Sequence, residues 1–435
     1  MNDRRSESPA SFSPPSSGDS IYGPRFWIAF AANLLLVAAN VLTFRFAEFV
    51  NFLGESEETT GRIVQLGVIG SILIRFSLSR DLDRLGAARL WKGSSLLFIA
   101  GCSLLVMSKS AGWNLYVARM AFTIGLASMF ACSNVHVQTN VPHHRRTEII
   151  GSLGSSGFLG MIVGAQLGDV YFELLPRGEL LFQALFGTAG VLGMLYLVMV
   201  WFITRGDRPP QPHEHSLRTM HLLRKHWPGV IVLVAMAMGI GFVVTTVFLT
   251  RYATSLNLGG VRPFFTAYAV SAFGFRVVSR RWSQQIGRRR MILIGLMGHV
   301  LGHLLLLPLS DTGYREWMQQ LSLSVEWGFV PSGLLCGFGH ALLFPCVVSL
   351  GSEVFPPELR GTGTTMILGF IDVGMALLSQ PLGWIIDRFG FVTMMLTSAS
   401  LMCGVAITYA LGTLGQTDTD LHPRVATEPS EGESG

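Results

Sequence analysis

Four ionisable residues stand inside runs that are otherwise apolar: Arg45 and Glu48 in TFRFAEFVNFLG, Arg119 in ARMAFTIGLAS, and Asp372 in LGFIDVGMALLSQPLGW. A charge at the centre of a membrane helix costs about 2.5–3.5 kcal/mol on insertion scales, so each needs an opposite charge, a hydrogen-bond partner or a wet cavity. The chemistry open to them is proton binding by the carboxylates and anion attraction by the guanidiniums. Arg45 and Glu48 are three positions apart and share a helical face. They read either as a self-satisfied ion pair or as the lining of a wet cavity, with Arg45 drawing an anionic group and Glu48 titrating. Asp372 has no basic residue within a helical turn in the sequence. It reads as a proton carrier or as a structural carboxylate hydrogen-bonded between helices. Arg119 calls for an acidic partner, and Glu48 is the candidate.

Two further arginines, Arg75 and Arg276, lie near the ends of apolar runs and belong to a repeat. RFSLSRDLDRLG, residues 75–86, aligns without a gap to RVVSRRWSQQIG, residues 276–287, at an offset of 201, matching Arg80 with Arg281 and Gly86 with Gly287. A second pair, VPHHRRTEIIG and FPPELRGTGTT, aligns at an offset of 214, matching Pro142 with Pro356, Gly160 with Gly374 and Gln166 with Gln380. Repeats at matching places in two halves mark an internal duplication.

Composition dictates what positions these residues. Half of the 435 residues are hydrophobic and 14% are charged, against about 25% charged in a soluble domain. Twelve apolar segments can be counted, at 26–53, 61–79, 91–108, 113–138, 149–173, 179–203, 228–252, 263–279, 291–309, 329–353, 363–386 and 391–413. Each approaches the roughly 20 residues a helix needs to cross the hydrocarbon core. The expected fold is an all-α membrane protein of twelve transmembrane helices in two six-helix, pseudo-symmetric bundles, residues 25–204 and 228–414. A linker over 205–227 joins them, and polar tails at 1–24 and 415–435 read as disordered. The first tail lacks the apolar region of a cleavable signal. With the N-terminus inside, 21 Lys and Arg fall on the cytoplasmic side and seven on the other, which orients both termini to the cytoplasm of the cell (inner) membrane.

The net charge of +5 is spread over short loops, so nucleic acid is excluded as a partner. The five cysteines have no paired spacing, and neither a metal site nor a cofactor is expected. A Walker loop and a nucleophile elbow are missing, which argues against an enzyme and against ATP as the energy source.

These motifs resemble those of the major facilitator superfamily. SRDLDRLGAAR resembles its loop between spans two and three, a Gly-x-x-x-Asp-Arg-x-Gly-Arg pattern, through Asp83, Arg84 and Gly86. Ser79 and Ala87 depart from it, and Arg89 follows late. The echo RRWSQQIGRRR retains Gly287 and Arg288, with Gln284 at the aspartate position. The resemblance implies a gating turn whose charges pair across the two halves; the alternative is that these arginines only orient the chain. An arginine eleven residues before the loop glycine is common in the drug and arabinose-efflux-like branch, where Arg75 and Arg276 would be interfacial anchors or gate partners rather than substrate contacts. In span five, Gly151, Gly160, Gly164 and Gly168 fit the spacing of an exporter signature, with Ala165 and Asp169 at its proline and final glycine. Gly157, Gly160, Gly164 and Gly168 share a stripe about 80° wide, which suits close helix packing.

The resulting expectation is a secondary transporter, proton-coupled, exporting a small organic solute or drug by alternating access. Its partners are the solute, protons and the lipid bilayer, and it acts as a monomer. A proton symporter or uniporter importing a metabolite is the alternative within transport. A transport-inactive sensor or assembly protein is the alternative outside it. Gln380 and Pro381 are expected to break span eleven.

Overall fold

Apolar runs without β-rich alternation, punctuated by glycine and proline, leave the helix as the way to satisfy the backbone inside lipid. The computed structural model describes residues 23–139, 146–206, 219–356 and 359–414. Among them every regular element is helical. The order is α1 (Pro24–Leu42), α2 (Phe46–Phe52), α3 (Glu57–Leu85), α4 (Ala87–Met107), α5 (Trp113–Thr139), α6 (Arg146–Leu174) and α7 (Glu179–Ile203). There follow α8 (Thr219–Lys225), α9 (Ile231–Phe242), α10 (Leu249–Ser255), α11 (Arg262–Gln285), α12 (Arg288–Leu304), α13 (Thr312–Gln320), α14 (Phe329–Glu353) and α15 (Arg360–Gly412). Eight helical stretches among the described residues are long and apolar enough to cross a membrane. Beside them run α3, α6 and α11, of 29, 29 and 24 residues. At 1.5 Å per residue these are about 36–44 Å long, against a hydrocarbon core of about 30 Å. The chain is an integral, multi-pass membrane protein. Helix α7 shows why: Val191, Met194, Leu195, Val198, Trp201 and Phe202 are all exposed, a surface that lipid accepts and water does not.

Helices α1 and α4–α7 pack mainly on one another, as do α9–α12 and α14; α3 packs on α5 and more extensively on α15, and the two groups meet where α3 lies against α15 and α6 against α11. Below, the end of the bundle carrying Glu57 and Asp387 is the far face, and the end carrying Gly86 and Gly287 is the near face. Three sharp reversals join long helices, at Gly86 (φ 81°), Gly287 (φ 82°) and Gly390 (φ 82°). This left-handed backbone is open to glycine without a Cβ clash.

The structure departs from expectation in three places. The first apolar run is interrupted by a 3-10 turn over Thr43–Arg45, which re-aims Arg45. The stretch expected at 228–252 contains a π-helical segment, Val243–Phe248. Helix α15 remains helical through Pro381 and changes direction at Gly390 instead. A proline removes one helical hydrogen bond, and neighbouring helices compensate for it. Helix α3 packs along this stretch, with Gln65 Nε2 donating to the Ala376 carbonyl at 2.7 Å, beside the Leu377 carbonyl that the proline leaves without its helical donor. Part of the linker forms α8, whose Leu222 and Leu223 pack with Phe355 and Met366. Residues 207–218 of it lie outside the described residues, as do residues 1–22 and 415–435 of the tails and residues 140–145, while Pro24, expected in the first tail, already belongs to α1.

Candidate functional site

The site is built where the two helical groups touch. On the far face, the 3-10 turn directs Arg45 inward, where Nη1 donates to Glu48 Oε1 at 2.7 Å and Nη2 donates to Asp169 Oδ1. All three side chains are buried. Thr254 of α10 donates its hydroxyl to Glu48 Oε1, and the Arg262 backbone N–H donates to Asp169 Oδ2 at 2.8 Å. Arg262 opens α11, so Asp169 rests its charge on a helix N-terminus, where the dipole favours an anion. One guanidinium thus faces two carboxylates, and the start of α11 offsets part of the remaining negative charge.

A mirror arrangement joins α15 to α3. Asp387 Oδ1 accepts from the Glu57 N–H at 3.0 Å and Oδ2 from the Glu58 N–H at 2.8 Å, capping the start of α3. Each half therefore places a carboxylate on the N-terminus of a helix of the other half. Arg251 Nε adds an ion pair to Glu57 Oε1 at 2.6 Å. Glu57 lies ahead of the apolar stretch that begins at 61. Burial pushes its carboxyl up to about 7, against the opposing pull of the Arg251 guanidinium. Small residues allow this closure: a Cβ at Gly61 would fall on the Ser379 carbonyl oxygen, and one at Gly383 on that of Glu57. The far face is closed.

Deeper along the same interface, Arg75 Nε donates to Asp372 Oδ2 at 2.7 Å, and Ser71 Oγ donates to the same oxygen at 3.2 Å. The carboxylate that stands alone in the sequence is thus paired across the halves, because the helix bearing its cation is 297 residues away in the chain. The other repeated arginine, Arg276, lies over the rings of Phe158 at 5.3 Å and Phe344 at 5.6 Å. Phe158 and Asp372 are separated by 214 positions (372 − 158), the offset of the second sequence repeat. The duplicated arginines occupy equivalent places, one on a carboxylate and one on a ring.

Arg119 does not meet the expected acid. Its guanidinium lies 4.6 Å from the Phe46 ring and 5.1 Å from the Phe122 ring. Its Nε and Nη1 are buried without a hydrogen-bond partner among the described residues. The reason is local: Glu48 is turned toward Arg45 and Thr254, and its Oε2 likewise lacks a partner. Cation–π contact offsets part of the desolvation of Arg119 and leaves two donors free.

The remaining expected residues fall as follows. The side chains of Asp83 and Arg84 lie outside the described residues, with those of Arg80, Arg281 and Gln284, and so does Gly151. Arg89 is exposed. Arg288 reaches Glu353 at 2.6 Å and Ser349 at 3.1 Å, contacts within one half rather than across the two. Gly160 and Gly164 bring α6 onto α1, where a Cβ on Gly164 would meet the Ala38 carbonyl oxygen at 2.6 Å. Gly168 is looser, 3.9 Å from Leu42. Sequence reasoning passed over Glu57, Arg251 and Asp387 as site residues. A signal existed for the last: Asp387-Arg388-Phe389-Gly390 repeats Asp83-Arg84-Leu85-Gly86. It also found no metal-ligand spacing, whereas the fold brings His299, His303 and Cys336 together.

Long apolar helices, two groups meeting along a charged seam and a face closed by reciprocal caps define a membrane transport protein rather than an enzyme. A sequence profile of the Major Facilitator Superfamily matches residues 26–379, and the chain belongs to that superfamily. It is 22% identical over 422 residues to an uncharacterized MFS-type transporter of Burkholderia mallei (strain SAVP1), covering 91% of this chain and 96% of the relative. An uncharacterized MFS-type transporter of Pseudomonas aeruginosa (strain UCBPP-PA14) is 25% identical over 224 residues, 51% of this chain and 50% of that one. Among solved structures, the D-xylose–proton symporter superposes with a TM-score of 0.68 at 15% identity, covering 88% of this chain and 96% of that one. A point mutant of the nucleoside transporter NupG gives 0.70 at 11% identity, covering 89% and 99%. These likenesses concern the fold.

Proposed function

We propose that the protein exports a small organic solute in exchange for protons, by alternating access between two six-helix halves that together make twelve crossings. In this reading both termini are cytoplasmic, the near face is the cytoplasmic one, and the protein works as a monomer. The observation that carries it is the Arg75–Asp372 pair across the halves. Parting the halves separates the two charges, and a carboxylate left in apolar surroundings without its cation takes up a proton. Rebinding Arg75 expels it. The proton is thus exchanged once per cycle, and no ATP-binding motif is needed.

The free donors of Arg119 support the second element, a solute carrying an anionic or hydrogen-bond-accepting group that satisfies them. The export direction rests on the span-five glycines Gly160, Gly164 and Gly168. The turn at Asp83, Arg84 and Gly86 serves as the near-face gate, the counterpart of the Asp387 turn on the far face.

Reconstituted vesicles test the reading. With a candidate anionic solute identified by thermal-shift screening, Asp372→Asn should abolish uphill transport driven by a pH gradient while exchange across the membrane survives. Proton-driven accumulation by this variant at wild-type rates would remove Asp372 as the carrier.

A further inference from the structure

The second half contains a cluster that the transport reading does not use. His299 and His303 are four apart on α12 and therefore share one face. Cys336 of α14 lies opposite them, and one ligand atom from each of the three residues falls within 4.8 Å of the others. Their relative exposures are 2%, 0% and 0%. Both ring nitrogens of His299 and Nε2 of His303 are buried with no hydrogen-bond partner among the described residues. The cysteine is not part of a disulfide. Buried polar atoms left unpaired are rare in native proteins and ask for an explanation.

The surroundings look made for these side chains. A Cβ on Gly302 would meet Cys336 Sγ at 2.5 Å, and one on Gly339 would meet His299 Cδ2 at 2.7 Å, so glycines make the room. Ser398 Oγ of α15 lies 3.3 Å from His303 Nδ1. That contact holds the ring by Nδ1 and leaves Nε2 unpartnered, as an outer hydrogen bond does for a metal-bound imidazole.

We propose that His299, His303 and Cys336 form a buried site for monovalent copper. Imidazole and thiolate are the donors that soft and borderline metals select. Charge and ligand number then choose among them. The cluster contains no Asp or Glu, so one thiolate is its single anionic ligand. Cu+ with one thiolate is neutral, whereas Zn2+ would leave a net positive charge in an apolar interior and would also seek a fourth ligand. Binding displaces the thiol proton to solvent. Metal–ligand bonds of about 2.0–2.3 Å require the three side chains to draw together by about an ångström, within reach of rotamer adjustment. The site lies among α12, α14 and α15, inside one half and away from the α3–α15 and α6–α11 seams. The ion is therefore a resident staple of the second half, not cargo.

The test uses tag-free, full-length protein produced in medium supplied with copper and zinc and purified anaerobically. The expected result is one copper per chain by elemental analysis, a Cu+ absorption edge, and a first shell of one sulfur and two nitrogens. Cys336→Ser and His303→Gln should each lose the copper, while Cys132→Ser in the other half retains it. Thermal unfolding of the wild type should shift upward with copper and return with a Cu+ chelator. Wild-type protein without bound metal, or copper retained equally in Cys336→Ser, would overturn the site. Zinc on the same three ligands would overturn the charge argument for copper.

Discussion

Asp387→Ala removes the acceptor of two backbone N–H groups at the start of α3 while leaving both helices intact. Loss of a helix cap costs about 0.5–2 kcal/mol. Here one carboxylate serves two donors at 3.0 and 2.8 Å and also meets the helix dipole, so about 2 kcal/mol is expected, at the upper end of that range. The cost falls on the far-face-closed state alone, because the cap exists only while the halves touch. Since about 1.4 kcal/mol is a factor of ten, the open-to-closed ratio should rise about 30-fold. A population of about 1:99 would become about 1:3. Spin labels at S56C and S324C, on opposite halves, report this as a growing long-distance component in pulsed electron resonance. Asp387→Asn, which retains one acceptor oxygen but no charge, should fall between. A distance distribution in Asp387→Ala identical to that of the parent would refute the claim that this cap holds the face shut.

The closed far face should also respond to pH. Glu57 is held at about 7 against an ordinary value of 4.5, so closure favours the protonated form. That contribution is fully present below the ordinary value and is lost as pH rises through about 7. Opening should therefore increase between pH 5 and 8, measured with the same labels, and Glu57→Gln should flatten the profile. Gly164→Val would press a side chain on the Ala38 carbonyl oxygen and Val41. Overpacking of this kind costs about 1–3 kcal/mol, to be read as a lower thermal midpoint in detergent, with Gly168→Ala nearly neutral. Reporter fusions after Arg205 and at the C-terminus should give a cytoplasmic signal and one at Ser56 an external signal; the reverse pattern would invert the proposed orientation.

The helical, membrane-spanning nature of the chain was legible because apolar length is a local property. So was the close approach at Gly160 and Gly164, since it is a periodic pattern. Pairing was not. Asp372 looks solitary because its cation sits on a helix that folding brings beside it, and Arg119 was matched to Glu48 without knowledge that Arg45 and Thr254 occupy that carboxylate. The caps made by Asp169 and Asp387 were hidden for a related reason. A backbone N–H has no letter in the sequence, so an acceptor directed at one cannot be recognised from residue types. His299 and His303 had helical spacing, but their third partner lies on another helix.

The two seams between the halves differ in kind. Along α3 and α15 the deep contact is an ion pair, Arg75 on Asp372. Along α6 and α11 Arg276 lies over Phe158, and the carboxylates of that seam gather on Arg262, Asp169 on its backbone N–H and Glu173 on its guanidinium. Both seams nevertheless carry a carboxylate latch at the far face, Asp387 on the start of α3 and Asp169 on the start of α11, so neither edge of that face can part while its own latch holds.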